Sequence, residues 1–262
     1  MTTTLVDSAT MLRRDLKHMQ RYPSITVMLI GMPVVFLLLF VYVFGGTMGA
    51  GLGGAAGSGG RAEYLAYVLP GILVMAVAAV AQGTAISVAM DMTEGIIARF
   101  RTMAISRAAV MAGHVAGAMI QTVIGVAVVA IIAVLIGYRP GASVGQWTLA
   151  LAFLAMVGFA LTWLTVAMGM AAKTVESASN TPMFLVLLPF LSSGFVPTGS
   201  MPAGVAWFAE HQPFTPFIDT VRGLLAGTPV GSSFVVSVAW CAVISLAAFL
   251  WARSSYERLS VR

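Results

Sequence analysis

Two stretches of this sequence, 64–90 and 108–138, contain no charged residue. Each exceeds the roughly 20 apolar residues that a helix needs to cross a bilayer. Whatever lies between them is then held in water on one side of a membrane, because a cluster of charges is costly inside it. That intervening stretch is 91–107, Asp-Met-Thr-Glu-Gly-Ile-Ile-Ala-Arg-Phe-Arg-Thr-Met-Ala-Ile-Ser-Arg. It is patterned. Ile96, Ile97, Phe100 and Met103 recur at helical spacing, and Glu94, Arg99, Arg101 and Arg107 fall on the other faces. A simple reversal of the chain needs only a few polar residues, so the pattern predicts a short amphipathic helix with an apolar ridge for a partner. The competing reading is a helix resting on lipid headgroups, its arginines toward phosphate.

Composition agrees with a membrane protein. Of 262 residues, 59% are hydrophobic and only 9% charged, against about 25% charged in soluble domains. The fold class expected is an all-α polytopic membrane protein. The net charge of +5 has no basic domain to gather it, so nucleic acid is not a partner. The single cysteine, Cys241, lies in an apolar run and excludes a disulfide framework. No removable signal peptide is expected at the polar N-terminus.

Residues 5–22 place Leu5, Ala9, Leu12, Leu16 and Met19 at helical steps, with Arg13, Arg14, Lys17 and Arg21 mostly elsewhere. This predicts an N-terminal amphipathic helix in the interface, its cations toward anionic lipid headgroups; His18 belongs to its polar face. Six spans follow: 25–44, with Pro33 inside; 64–90; 109–136; 147–171; a short 181–195 containing Pro182 and Pro189; and 234–251. Between the first two, the glycine-rich stretch 45–60 reads as a flexible loop. Gly113, Gly117, Gln121 and Gly125 lie four apart on the third span, a small-residue stripe for a close neighbour. Residues 196–232 are proline-rich yet carry Trp207, Phe208, Phe214, Phe217, Val221 and Leu224, which fits re-entrant or interfacial helices before the last span. With the N-terminus in the cytosol, eleven Lys and Arg fall inside and three, Arg61, Arg139 and Arg222, outside. The positive-inside rule therefore places both termini, and 91–107, in the cytosol.

Catalytic and nucleotide motifs are missing. Leu16 and Ala172 precede the two lysines, Lys17 and Lys173, where a phosphate loop needs glycine. His18, His114 and His211 are scattered and no carboxylate cluster is seen beside them, so no metal site and no catalytic residue is expected. Ionisable residues are absent at mid-span, which argues against proton or sodium coupling. Polar residues inside the spans are mild: Gln82, Thr84, Ser87, His114, Gln121, Thr162, Thr165, Ser192 and Ser193. They read either as interhelical hydrogen bonds or as the lining of a path, for which Gln82, His114, Gln121 and Thr162 are the candidates. His114 and Gln121, seven apart, share a helix face.

Residues 91–107, together with Phe-Val-Pro-Thr-Gly-Ser-Met-Pro (195–202) and Gln-Pro-Phe-Thr-Pro-Phe-Ile-Asp-Thr-Val-Arg-Gly-Leu-Leu (212–225), resemble the permease subunits of ABC-2-type ATP-binding-cassette exporters, in the daunorubicin-resistance branch of actinobacteria. The resemblance runs in the same order through nearly the whole chain. Ala104 departs from it, standing where proline is expected. The resemblance implies a six-helix permease paired with a second permease copy, or a related permease, and with two cytosolic ATPase subunits. The first and fifth spans would form the permease seam. ATP and Mg would be bound by the ATPase, with no cofactor in this chain. It implies that the N-terminal helix and 91–107 rest on the ATPase, with Glu94, Gly95, Ile96, Ile97, Arg99, Phe100 and Arg101 as the coupling residues. It also implies amphipathic drugs, antibiotics or lipids as substrates. Two other classes, an integral membrane enzyme acting on lipid and an ion-coupled secondary transporter, lack the nucleophile, paired carboxylates or buried charge they need.

Overall fold

The computed structural model describes residues 2–21, 23–52, 60–93, 107–139 and 141–259. Helix α1 (Thr2–Arg21) is followed by α2 (Pro23–Leu39), which passes through a π-turn (Phe40–Phe44) into α3 (Gly45–Leu52). Then come α4 (Arg61–Thr93), α5 (Arg107–Leu135) and α6 (Val144–Ala171). Short pieces follow: α7 (Val175–Asn180), α8 (Met183–Leu187), a 3-10 turn (Leu188–Leu191), α9 (Ala203–His211) and α10 (Phe214–Ala226). The last helix is α11 (Ser232–Leu259). No strand occurs among the described residues.

Most of the helices pack around α4. It touches α2, α3, α5, α6, α7, α8 and α10, and from Tyr64 to Ala89 it is buried on nearly every side. A helix apolar all round belongs inside a bundle rather than on its surface. Its second half is rich in Ala and Gly, which lets neighbours come close. Where α6 crosses it, a Cβ on Gly169 would stand 2.6 Å from the Ala85 carbonyl oxygen, so a side chain at 169 would push the two helices apart. The main core is built from α4, α6 and α10, with Tyr64, Leu69, Ile72, Leu154, Leu161 and Phe217 among its fully buried members. A smaller cluster, Val88, Val115, Val166, Ala167, Met170 and Ala252, closes the opposite end.

The outer helices do the reverse. Val27, Met28, Met32 and Val35 of α2, Ile131 and Leu135 of α5, and Val235, Val243, Leu246 and Leu250 of α11 are exposed. A soluble monomer rarely presents apolar surface on this scale. Five helices are long and apolar enough to cross a bilayer, Thr26–Gly51, Arg61–Thr93, Met111–Leu135, Val144–Ala171 and Ser232–Ser254. The chain is a multi-pass helical membrane protein.

Two stretches depart from the sequence reading. Residues 181–195, expected as a span, are not one helix. Pro182 caps α8, and Pro189 has no N–H to give the Leu185 carbonyl, so the chain tightens into a 3-10 turn and then leaves helical geometry at Ser192. The glycine-rich stretch, expected as loop from 45, is helical to Leu52, and 53–59 lie outside the described residues. Tertiary packing outweighs the low helix propensity of glycine here: α3 lies on the start of α4, and a Cβ at Gly45 would already meet Arg61 at 3.2 Å.

Candidate functional site

The site lies where α4 ends and α5 begins, the two helix ends that bracket 94–106. Those residues are outside the described ones, so Glu94, Gly95, Ile96, Ile97, Arg99, Phe100 and Arg101 receive no structural account. What surrounds them does. Asp91 is the third residue from the end of α4 and His114 the eighth of α5; both are buried. α1 lies along α5 because α5 offers it glycine. A Cβ at Gly113 would stand 2.5 Å from that of Met11, and one at Gly117 would be 3.3 Å from that of Asp15. The small-residue stripe is thus divided. Gly113 and Gly117 receive α1, while Gly125 faces Ile30 of α2 and Val80 of α4.

Docking buries Met11 and brings four ionisable side chains together. The Arg14 guanidinium donates to both oxygens of Asp91, at 2.6 Å to Oδ2. His114 Nε2 lies 3.1 Å from Asp91 Oδ2, and its Nδ1 lies 3.7 Å from Asp15 Oδ2. Arg14 keeps 34% of its side chain exposed and Asp91 only 8%. Breaking a buried pair by removing one partner leaves a charge uncompensated, which costs about 3–5 kcal/mol. The sequence reading, that no carboxylate cluster stands beside the histidines, is corrected at His114. His114 stands between two, one from α1 and one from α4, brought close only by the fold. No group of three or more metal-ligating side chains occurs among the described residues.

Of the four α1 cations, Arg13, Lys17 and Arg21 are exposed, and Arg14 alone is turned in toward Asp91. Three of the four path candidates are engaged at separate interfaces. Gln82 donates to the Ser179 carbonyl of α7 at 3.0 Å, Gln121 donates to Thr26 Oγ1 of α2 at 3.3 Å, and His114 belongs to the ion cluster. Thr162 is fully buried, its hydroxyl without a partner.

Sequence reasoning passed over Asp15 and Asp91. Asp15 turns inward only because α1 docks on Gly117 of α5, a contact that no local pattern announces. Asp91 was grouped with the charged stretch. Nothing local marks it as the last turn of a buried helix.

The sequence matches the ABC-2 type transporter family over residues 8–226. It is 30% identical over 249 residues, 93% of this chain and 84% of the relative, to the daunorubicin resistance ABC transporter permease protein DrrB1 of Streptomyces coeruleorubidus. The probable doxorubicin resistance ABC transporter permease protein DrrC of Mycobacterium tuberculosis is 22% identical over 176 residues, 67% of this chain and 64% of that protein. The family match runs from α1 through the ion cluster to the end of α10, and on it this chain belongs to the ABC-2 type transporter family as a permease component, with no ATPase site of its own.

Proposed function

We propose that this chain is the membrane half of an ATP-driven exporter in the cytoplasmic membrane, with both termini in the cytosol. Two permease chains and two cytosolic ATPase subunits form the machine. The ATPases bind ATP and Mg, and the cargo is an amphipathic drug, antibiotic or lipid, the names of the relatives favouring a drug. Six segments cross the membrane, the broken 181–195 stretch being the fifth. The observation that carries the reading is the docking of α1, through Arg14, on the helix ends that bracket 94–106. A segment that receives force from a partner needs rigid abutments, and α1, α4 and α5 supply three.

In this reading Ile96, Ile97 and Phe100 enter an apolar groove on the ATPase. Glu94 and Gly95 open the helix, where a carboxylate is favourable. Arg99 and Arg101 set the register through charge pairs, which specify position more than affinity. Loss of a buried interface aromatic costs about 2 kcal/mol or more. The test is export together with co-purification of the ATPase for Phe100→Ala, Phe100→Leu and Arg99→Ala. Phe100→Ala is expected to lose both, and Arg99→Ala less. Full transport and full ATPase retention in all three variants would reduce 91–107 to a connecting loop and defeat the reading.

A further inference from the structure

At the end of α4 opposite the ion cluster, a second polar network ties three elements together. Arg222 of α10 lies over the Tyr67 ring of α4, 4.4 Å from its centre. It pairs with Asp219 and donates to the Ser193 carbonyl at 2.6 Å. That same carbonyl accepts the Tyr67 hydroxyl at 2.8 Å, and the Ser193 hydroxyl donates to Asp219 at 2.8 Å. Gln212, at the entry to α10, donates to the Leu188 carbonyl at 3.2 Å and to that of Leu191, tying α10 to the 3-10 turn.

The segment so held cannot hold itself. α8 has 5 residues and the 3-10 turn 4, far below the length at which a helix is stable alone. Its turn sits directly on α4, where a Cβ on Gly71 would meet Gly194 at 3.0 Å. Along its middle α4 is sealed mainly by apolar packing, which has no alternative partner in water. Here Phe190 and Phe195 pack on each other and on Phe36 and Phe40 of the first span, and the tie to α10 is made by side-chain hydrogen bonds that water can reach, with Arg222 24% and Asp219 36% exposed. Two buried polar atoms of the network, Arg222 Nε and Gln212 Oε1, have no partner, so it is not fully satisfied in the closed arrangement.

The geometry points to a clasp: Arg222, with Asp219 and Tyr67, fastens residues 188–195 to α4 at the outer end, and each transport cycle opens it. Arg222 is a positioning residue, and it acts through the Ser193 carbonyl. The inference rests on the exporter reading given above.

The test is hydrogen exchange of the permease–ATPase complex in lipid discs, read on peptides covering 188–196. Peptides from the middle of α4 and α6 serve as internal standards. In the wild type, ATP with Mg is expected to speed exchange in 188–196 relative to nucleotide-free complex, while the standards stay fixed. Arg222→Met is expected to exchange in that segment roughly tenfold faster without ATP, the factor for one lost charge-assisted bond. Arg222→Lys, which keeps the charge but not the fork, is expected between the two, and it covers the case in which the methionine variant does not fold. The exchanged pair Asp219→Arg with Arg222→Asp restores an ion pair one helical turn apart but cannot donate from 222 to Ser193. If it restores protection, the network is only a helix ion pair and the clasp is refuted. Exchange in 188–196 that is indifferent to ATP refutes it equally. A complex that hydrolyses no ATP with this chain present overturns the exporter reading and the clasp together, whereas hydrolysis with a static segment overturns the clasp alone.

Discussion

The two ends of α4 are fastened in opposite ways. At Asp91 the carboxylate is buried, faces two cationic or ionisable partners from two other helices, and anchors a helix of 20 residues. At Tyr67 the charged pair lies within one helix, i to i+3, is open to water, and holds a segment of short pieces. A buried pair that spans elements fails badly when one partner is removed. An exposed pair within an element contributes about 0–1 kcal/mol and exchanges with water. One end is therefore a joint that moves as a unit, and the other is a fastening that can come undone. On the exporter reading proposed above, force enters at the first end and cargo leaves at the second, and the asymmetry suits that division.

The comparison breaks first at Asp91. Asp91→Ala removes the buried carboxylate that Arg14 donates to and takes a partner from His114, so α1 is expected to leave α5. The loss should be roughly 3 kcal/mol, toward the low side for a buried pair because Arg14 is 34% exposed. Thermal unfolding of the purified complex and protease cleavage within α1 would report it. The exchange of Arg14→Asp with Asp91→Arg should recover about half, since an arginine at 91 pairs with 14 and with Asp15 but opposes His114. A swap no better than Asp91→Ala would mean that α1 is held by Met11 and the glycines alone.

Gly113→Val comes next. Its Cβ would stand 2.5 Å from that of Met11, on two packed helices with no flexible tip to yield. Overpacking of this kind costs about 1–3 kcal/mol, and the effect should again be release of α1. Gly117→Ala, at 3.3 Å from the Asp15 Cβ, should be milder, and a reversed order would place the axis of the α1–α5 crossing nearer 117.

How far the sequence reaches is visible in these same residues. The long helices were legible because composition alone decides them: a charge-free run of Ala, Val, Leu and Ile has no other way to satisfy its backbone in lipid. The start of α6 was missed by one turn: the helix begins at Val144 behind a capping box of Ser143 and Gln146, not at 147. Pro182 and Pro189 were seen, but their joint effect was underestimated. Two breaks within one short stretch leave no piece long enough to stay helical alone. Gly45 to Leu52 went the other way, held helical by contact with α4 that no local pattern announces. The ion cluster was the least legible part. Its four residues stand at 14, 15, 91 and 114, and only the folding of α1 onto the glycines of α5 brings them into reach.

Asp219→Ala sharpens the contrast from the weaker side. The global stability of the complex should fall by no more than about 1 kcal/mol, since Arg222 keeps two carbonyl acceptors, those of Ser193 and Tyr67, and has access to water. Local protection of 188–196 should fall nonetheless. If Asp219→Ala unfolds the complex as severely as Asp91→Ala, the two ends are equivalent and the asymmetry is lost.

The smallest expected effect is that of Lys17→Gln. Lys17 is on α1, one turn from Arg14, but exposed where Arg14 is turned inward. If α1 is fastened by its inward face, removing an outward charge leaves docking, unfolding temperature and ATPase retention unchanged, because an exposed lysine without a fixed partner contributes little. What it can alter is attraction to an anionic surface, and that part is screened by salt. The measurement is transport by the variant in vesicles with and without anionic lipid, at low and high ionic strength. A few-fold loss confined to anionic vesicles at low salt would assign the outer face of α1 to headgroups, and the same loss in neutral vesicles would assign it to the ATPase. A fall in unfolding temperature matching that of Asp91→Ala would contradict the division of α1 into a fastened face and a free one, and with it the contrast between the two ends.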